Sequence, residues 1–249
     1  EAARSIAQAK LWPANLRVLD PGEGQAMAGL DGKTAILIIG FESADVPQDA
    51  FIKEAVSIAR DAGGQVDDDE IVISPTPAGA KASSDAAGRQ GAVGAWRQAF
   101  LDLPFDWNDI TGLGVIADTF ETSITWDRWP EFDRVVRGAV QDAMDRVCGD
   151  GTVTARFTHI YPDGPAPYYS FTALGKPGSE LSQWAEIKQA ASEALIAAGG
   201  TITHHHAVGR DHRPWYDKQR PESFATALRA AKKSLDPSSI LNPGVLIDP

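Results

Sequence analysis

The chain of 249 residues is 43% hydrophobic and 23% charged, a composition typical of folded globular proteins, which excludes an intrinsically disordered chain. Its net charge of −11 argues against nucleic acid as a partner, because phosphate binding needs a cationic surface. No apolar run reaches the roughly 20 residues that a membrane span needs. The single cysteine, Cys148, cannot form an internal disulfide. We therefore expect a cytoplasmic protein, with peripheral membrane attachment and a homodimer left open.

Short β-rich runs alternate along the chain with amphipathic helices. A nearly continuous apolar run from Thr34 to Phe41 predicts a strand buried on both faces. Further strands are predicted at 70–74, 114–120, 153–161 and 166–173. Apolar residues at helical spacing predict helices over 51–59, 132–147, 184–198 and 224–235. The stretch 75–94, rich in Pro, Gly, Ala and Ser, has no period and predicts a loop or a mobile segment over a site.

The order of these elements predicts an α+β fold. The turn Pro162-Asp163-Gly164-Pro165 joins two predicted strands into a hairpin. Two successive β-α-β-type units with hairpins favour an antiparallel sheet with helices packed on one face, as in ferredoxin-like repeats. A doubly wound nucleotide-binding sheet is disfavoured, since the sequence has neither a Gly-x-Gly-x-x-Gly motif after a strand nor a Walker motif.

Three consecutive histidines, His204, His205 and His206, follow a predicted helix. Histidine exchanges protons near neutral pH and binds anions when charged, and Arg210 and Arg213 supply cations a few residues later. In extended backbone His204 and His206 point to one face and His205 to the other. The pattern indicates a catalytic or anion-binding loop, with an exposed loop of no function as the alternative.

The same histidines raise the question of a metal ion. Structural zinc sites space their ligands by several residues, and catalytic zinc motifs place two histidines one helical turn apart. Adjacent histidines match neither arrangement, so the sequence predicts no metal site. A metal-binding module built on His204–His206 remains a rival interpretation.

Two further segments offer polar side chains. Alternation along the strand 166–173 places Tyr168 on one sheet face and Tyr169 on the other, so that one phenol faces a cavity while the other packs. Thr119 and Glu121 lie at the end of the strand 114–120, where they are placed to line a pocket. The alternatives are aromatic packing for Tyr168, and a strand edge followed by helix capping for the second segment.

Four segments carry a family resemblance when they are taken in chain order. They are Asp118–Ser123 with Trp126, Tyr161–Phe171, His204–Gly209 and Asp236–Gly244. Together they resemble the alkyldihydroxyacetonephosphate synthase family, which belongs to the FAD-linked oxidases with the vanillyl-alcohol-oxidase type of architecture. The last motif, Asp-Pro-x-x-Ile-Leu-Asn-Pro-Gly, is shared by many FAD-linked oxidases, whereas three histidines followed by x-Val-Gly point to the synthase branch.

The resemblance implies a domain of the FAD-linked oxidase C-terminal type. Its full-length enzyme would exchange the acyl group of an acylated dihydroxyacetone phosphate for a long-chain alcohol, in ether-lipid synthesis. The resemblance implies four catalytic residues, Tyr168, His204, His205 and His206. It implies substrate binding by Arg210, Glu121 and Thr119. It also implies FAD contacts from His205 and Asn242. It also implies a substrate-binding cap, 1–203, and a segment, 204–249, that carries the histidine loop and returns to an FAD-binding domain.

The chain departs from the family pattern in two ways. Family members carry an arginine in a Pro-Tyr-x-Arg-Asp stretch, where this chain has Pro104–Asn108 without one, and Arg97 lies near but outside the motif position. A redox enzyme of the same superfamily, oxidising a hydroxy acid or an alcohol, is therefore the rival interpretation. The chain also begins at Glu1 and shows no FAD-binding domain, so we expect a fragment, inactive by itself, of a protein that holds FAD mainly through a preceding domain.

Overall fold

The computed structural model describes residues 1–68, 71–73 and 91–248. The helices in these ranges are α1 (Ala2–Gln8), α2 (Pro21–Ala28), α3 (Asp49–Asp61), α4 (Gly91–Gly112), α5 (Trp129–Val147), α6 (Glu180–Ala197), α7 (Arg213–Gln219) and α8 (Glu222–Leu235). The strands are β1 (Asn15–Leu19), β2 (Ile36–Gly40), β3 (Val115–Glu121), β4 (Thr152–Ile160) and β5 (Pro165–Leu174). Within the described ranges no helix has both the length and the apolar character needed to cross a membrane.

The strands form one antiparallel sheet in the order β2-β1-β4-β5-β3. The predicted hairpin is β4-β5, and the amide of Tyr161 donates to the carbonyl of Gly164 at 2.9 Å to close it. β3 pairs with β5 over its whole length, from Val115 opposite Leu174 to Glu121 opposite Tyr168. This pairing matters for the site, because it aligns the end of β3 with the start of β5.

The main core lies between one face of this sheet and the helices α5 and α6. Phe120 and Tyr169 stack on that face with ring centroids 4.8 Å apart, and both are almost fully buried. Val136 and Val140 from α5 and Ile187 from α6 are fully buried against them, as their helical spacing predicts. The prediction of an α+β fold on an antiparallel sheet is confirmed, as is the prediction that Tyr168 and Tyr169 point to opposite faces of the sheet; Tyr169 is the one that packs in the core.

A smaller apolar cluster lies beside β1 and the edge strand β2. Leu19, Ile38 and Trp96 are its buried members, and residues of α2 pack against it. Of the elements involved, α2 was not predicted, although its sequence has a start signal: Asp20 caps the helix by accepting from the Glu23 amide at 2.7 Å, and Pro21 occupies the first turn.

Two predictions about the middle of the chain need correction or fall outside the described ranges. The predicted loop 75–94 is wrong over its last four residues, which begin α4, because Val93 and Trp96 bury apolar surface in the smaller cluster. Its other residues lie outside the described ranges, as do Glu70 and Ser74 of the predicted strand 70–74. Residues 71–73 do not form a strand. Helix α1 and strand β1 were also not predicted.

The predicted boundary at residue 203 remains a prediction. Ile202, just before it, is buried in the main core, and Trp215 and Tyr216, just after it, pack against the same core.

The turn of the β4-β5 hairpin lies close to the backbone of Ile124, and alanine substitutions at two glycines can test this contact. A Cβ on Gly164 would overlap the carbonyl of Ile124, whereas a Cβ on Gly138, in the middle of α5, would meet nothing within 4 Å. We expect Gly164→Ala to lower the free energy of unfolding by about 1–3 kcal/mol, because backbone must move. Gly138→Ala should raise it by about 0.5–1 kcal/mol through helix propensity. Urea unfolding of both variants measures this, and equal effects would contradict the close approach.

Candidate active site

The sheet face opposite α5 and α6 carries a row of polar side chains. Glu121 on β3 lies opposite Tyr168 on β5, and Tyr168 lies opposite Arg156 on β4. Because side chains alternate along a strand, these three point away from the core that holds Phe120 and Tyr169. We call this the site face. It forms where β3 ends and β5 begins, so the loop after α6 can reach it.

Glu121 is the centre of this face. Its side chain is only 3% exposed, yet its carboxylate contacts four side chains. The Thr158 hydroxyl donates to Oε1, while Nδ1 of His204 lies 3.2 Å and Nδ1 of His159 lies 3.3 Å from the same oxygen. Nε2 of His206 lies 3.7 Å from Oε2. We call Glu121 with its contacting residues and the adjacent His205 the histidine cluster.

His159 enters this cluster through an irregularity in β4. Phe157 pairs with Pro167 and His159 with Ala166, so Thr158 is one extra residue in the strand, a β-bulge. In a regular strand Thr158 and His159 would face opposite sides, but the bulge lets both reach Oε1 of Glu121. His159 was missed from the sequence, because nothing in a strand-like sequence marks where one residue is left unpaired.

The triple-histidine loop is a tight turn rather than an extended strand. The His204 carbonyl accepts from the His206 amide at 2.7 Å, and His205 between them has a φ of 56°, in the left-handed region. The prediction that His204 and His206 share one side is confirmed, since both contact Glu121. The prediction that His205 faces the opposite side of an extended strand is wrong. Because the chain turns, its ring stacks on His204 at 4.3 Å between centroids and is exposed.

The loop is anchored on both sides of the turn. The His204 amide donates to the Glu121 carbonyl at 3.1 Å, which continues from the end of β3. The Thr203 hydroxyl donates to the His206 carbonyl at 2.8 Å and closes the turn from within. A non-glycine residue in the left-handed region costs roughly 1–3 kcal/mol and persists only where its surroundings hold it. These two bonds supply that constraint for His205.

The histidines differ in which ring nitrogens are free. His204 has both occupied, since Nδ1 faces Glu121 and Nε2 lies 3.2 Å from the hydroxyl of Tyr161. In the part of the chain that the structure describes, neither ring nitrogen of His205 has a hydrogen-bond partner. His204 is therefore placed to orient its neighbours, and His205 is placed to exchange a proton with something outside the cluster.

Burial changes the acidity of two members of the cluster. Removal from water lowers the pKa of His159, outweighing the opposing effect of Glu121, and the neighbouring His205 and His204 lower it further. Removal from water also lowers the pKa of His206 against the pull of Glu121, with a further contribution from Lys188. Both imidazoles are therefore neutral at neutral pH and able to accept protons.

Tyr168 is held beside the cluster by contacts on three sides. Its hydroxyl donates to Oγ1 of Thr119 at 3.0 Å, and its ring meets that of His206 edge-on at 5.2 Å. The guanidinium of Arg156 lies 4.0 Å from the ring centroid. Arg156 is itself buried and pairs with the buried Glu23 at the start of α2.

Arg156 is a second residue of the site that was missed from the sequence. A signal for it was present, because Thr154, Arg156 and Thr158 alternate with apolar residues along β4 and mark one polar side of the strand.

The structure brings together most, not all, of the predicted site residues. Thr119, Glu121, Tyr168 and the three consecutive histidines lie on or beside the site face. Arg210 is exposed and donates to the Pro243 carbonyl at 3.1 Å, and the exposed Asn242 precedes that proline. Among the described residues, no hydrogen bond or ring contact joins Arg210 or Asn242 to the histidine cluster.

The region where the family arginine was expected also lies on the surface. Pro104–Asn108 lies within α4, where Phe105 is exposed, and Arg97 on the same helix is exposed beside the buried Trp96. Arg156 is the arginine that contacts Tyr168.

Comparison with known proteins identifies the family. The sequence model of FAD linked oxidases, C-terminal domain, matches residues 1–246. Alkyldihydroxyacetonephosphate synthase of Trypanosoma brucei brucei is 28% identical over 152 residues, which cover 61% of this chain and 25% of that protein. The uncharacterized FAD-linked oxidoreductase YgcU of Escherichia coli (strain K12) is 30% identical over 137 residues, 53% of this chain and 28% of that protein.

The solved structures agree with this assignment at the level of the fold. A structure of alkyldihydroxyacetonephosphate synthase superposes with a TM-score of 0.66 at 18% sequence identity, over 97% of this chain and 42% of that chain. The aligned segment thus spans less than half of that structure, and 25–28% of the two sequence relatives. The predicted resemblance to this family is confirmed, and FAD use is a property of the family. The chain belongs to the FAD-linked oxidases, as a C-terminal domain that resembles that of alkyldihydroxyacetonephosphate synthase.

Proposed function

We propose that this chain forms the substrate side of an FAD-dependent enzyme that exchanges the acyl group of an acylated dihydroxyacetone phosphate for a long-chain alcohol. The observation that supports this most directly is the buried Glu121 carboxylate, which gathers neutral histidines beside Tyr168. Exchange beside a carbonyl requires a proton to be removed and returned, and neutral imidazoles next to a phenol suit that task.

The site face has groups that fit FAD at its outer edge. His205 presents an exposed ring without hydrogen-bond partners among the described residues, and Tyr168 lies half-buried on the same face. His205 is the residue we expect to contact the flavin from the cluster, with Asn242 contributing from the C-terminal segment. When bound, FAD would supply an electrophilic ring system that the protein side chains do not offer.

The residues of the cluster divide the proton chemistry among them. His205 exchanges a proton with the reacting groups, because both of its nitrogens are free of partners among the described residues. His204 holds the His205 ring by stacking on it, and Glu121 holds His204 through the contact with Nδ1. His206 and Tyr168 form the adjacent wall, where a neutral imidazole and a phenol can accept and donate in turn.

Arg210 is the candidate for recognition of the phosphate. It is exposed and bonded to the C-terminal segment, which leaves part of its guanidinium for an anion. Two observations favour the redox rival, in which the substrate is a hydroxy acid or an alcohol. The stretch Pro104–Asn108 has no arginine, and a relative in Escherichia coli is an FAD-linked oxidoreductase.

Removing the proton-exchanging groups should abolish exchange. In the full-length protein with FAD, we expect His205→Ala and Tyr168→Phe each to lower kcat for acyl-to-alkyl exchange by about 10²-fold or more, the usual contribution of general acid-base catalysis. The FAD content per chain should stay unchanged, because we expect a preceding domain to hold most of the FAD, and this measurement separates catalysis from FAD loss. Tyr216→Phe is the matched control, because Tyr216 packs against the core rather than the site. Wild-type exchange in either site variant would contradict the proposed roles.

The rival interpretation, a redox enzyme that oxidises a hydroxy acid or an alcohol, is tested on the same preparation without the long-chain alcohol. If the protein is a synthase, anaerobic addition of a hydroxy acid should leave the flavin oxidised, with its visible absorbance unchanged. Bleaching within the turnover time, with no acyl exchange, would move the function to the redox rival while leaving the family assignment intact.

The acidity of His206 predicts a pH profile with a definite sign. Burial and Lys188 lower its pKa, so the neutral base persists below the ordinary value of 6.5, and kcat/KM should fall only at more acidic pH. Lys188→Met removes a cation and stabilises the protonated imidazole, so the acid limb should move to higher pH. Lys218→Met, on the surface helix α7, is the control and should leave the limb in place. If the acid limb of the kcat/KM profile moved to lower pH in Lys188→Met, its assignment to His206 would be refuted.

A further inference from the structure

Three histidines in the cluster have the arrangement of a metal site. His159, His204 and His205 each offer a ring nitrogen, and these nitrogens all lie within 4.8 Å of one another. Zinc–nitrogen bonds of about 2.0–2.1 Å place tetrahedral ligand nitrogens about 3.3 Å apart. Rotation of the rings must therefore bring these nitrogens closer together before they can hold one ion. The triplet combines two adjacent histidines with a third from β4, which the spacing of residues along the sequence does not show.

Glu121 orients two of these rings in the way that metal sites use. Its Oε1 atom faces Nδ1 of both His159 and His204, and an ionised carboxylate only accepts hydrogen bonds. Each ring then carries its proton on Nδ1 and has its lone pair on Nε2, the tautomer that a carboxylate–histidine–metal arrangement requires. The buried Glu121 carboxylate is the strongest observation for a metal site, because it fixes the ring orientation of two ligands, His159 and His204.

The triplet is also accessible from solvent. His205 is exposed and has free ring nitrogens among the described residues, so an ion can enter from solvent at that side. The hydroxyl of Tyr161 lies 3.2 Å from Nε2 of His204, and an ion must displace or share this contact.

We propose that His159, His204 and His205 bind one borderline-soft divalent ion, of the Zn²⁺ and Co²⁺ class, with Glu121 as the carboxylate that orients two ligands. Imidazole ligands suit this class, whereas Mg²⁺ and Ca²⁺ require oxygen ligands. A fourth position remains for water or another ligand. The bound ion would occupy the lone pairs that proton exchange needs, so it would act as an inhibitor of the chemistry at the cluster.

Metal binding can be measured without any assay of activity. Co²⁺ titration of the 249-residue chain without a histidine tag, after chelator treatment, should give visible d–d absorbance that saturates at one ion per chain. Zn²⁺ should displace it, as followed by loss of that absorbance and by calorimetry. His205→Ala should weaken Co²⁺ binding at least about tenfold, and because this ring is exposed its truncation spares the core. His159→Ala should do the same, with circular dichroism confirming its fold.

Three further variants distinguish this triplet from the neighbouring histidines. Glu121→Gln should weaken binding by about 10–100-fold through loss of ligand orientation. His206→Gln and His212→Asn should bind Co²⁺ like the wild type, because neither histidine belongs to the triplet. The proposal is overturned if the folded wild type takes up no Co²⁺ or Zn²⁺. It is equally overturned if binding survives His159→Ala, or if it is lost in His206→Gln, which would instead assign the ion to the three consecutive histidines.

Discussion

The burial of one carboxylate, that of Glu121, organises the rest of the site. Leaving an ionised carboxylate without partners inside a protein is too costly to persist, so its environment must supply donors. Here they come from two directions, Thr158 and His159 from the bulge in β4, and His204 and His206 from the loop after α6. The same residue accepts the His204 amide on its backbone carbonyl. Glu121, at the end of β3, thus stabilises both the β-bulge at Thr158 and the turn with a left-handed φ at His205.

A second buried charge pair connects the site to the N-terminal part of the chain. Glu23 in α2 pairs with Arg156 and accepts from Thr154 at 2.9 Å, both on β4. Arg156 in turn lies over the ring of Tyr168. Breaking a buried pair by removing one partner costs far more than the pair itself contributes, because a charge is left unpaired. The orientation of Tyr168 therefore depends on α2, a helix far from it in sequence.

Periodicity along the chain predicted those parts of the fold that bury a clear apolar face. The hairpin, α5, α6, and the opposite orientations of Tyr168 and Tyr169 follow from alternation and helical spacing. The polar residues Glu121, Tyr168 and His204–His206 were predicted from their types and positions. His159 was not, since a bulge depends on the register between two strands, which no single strand encodes. Helix α4 was missed because its first turn is rich in Gly and Ala, and its burial depends on packing against residues of β1 and β2. Arg210 was expected beside the cluster, but its guanidinium donates to the carbonyl of Pro243, the residue that follows Asn242.

The turn at His205 explains why the proposed proton exchange and the proposed metal site involve the same rings. In an extended strand three consecutive histidines would alternate, and His205 would be separated from its neighbours by the backbone. The left-handed φ at His205 instead stacks its ring on His204 and brings it to 4.0 Å from the ring of His159. That proximity gathers imidazole nitrogens at an exposed edge, and imidazole is a group that serves both as a general base and as a ligand of divalent ions. Glu121 orients the rings for either use, so a protein that catalyses proton exchange here must keep such ions away from the site.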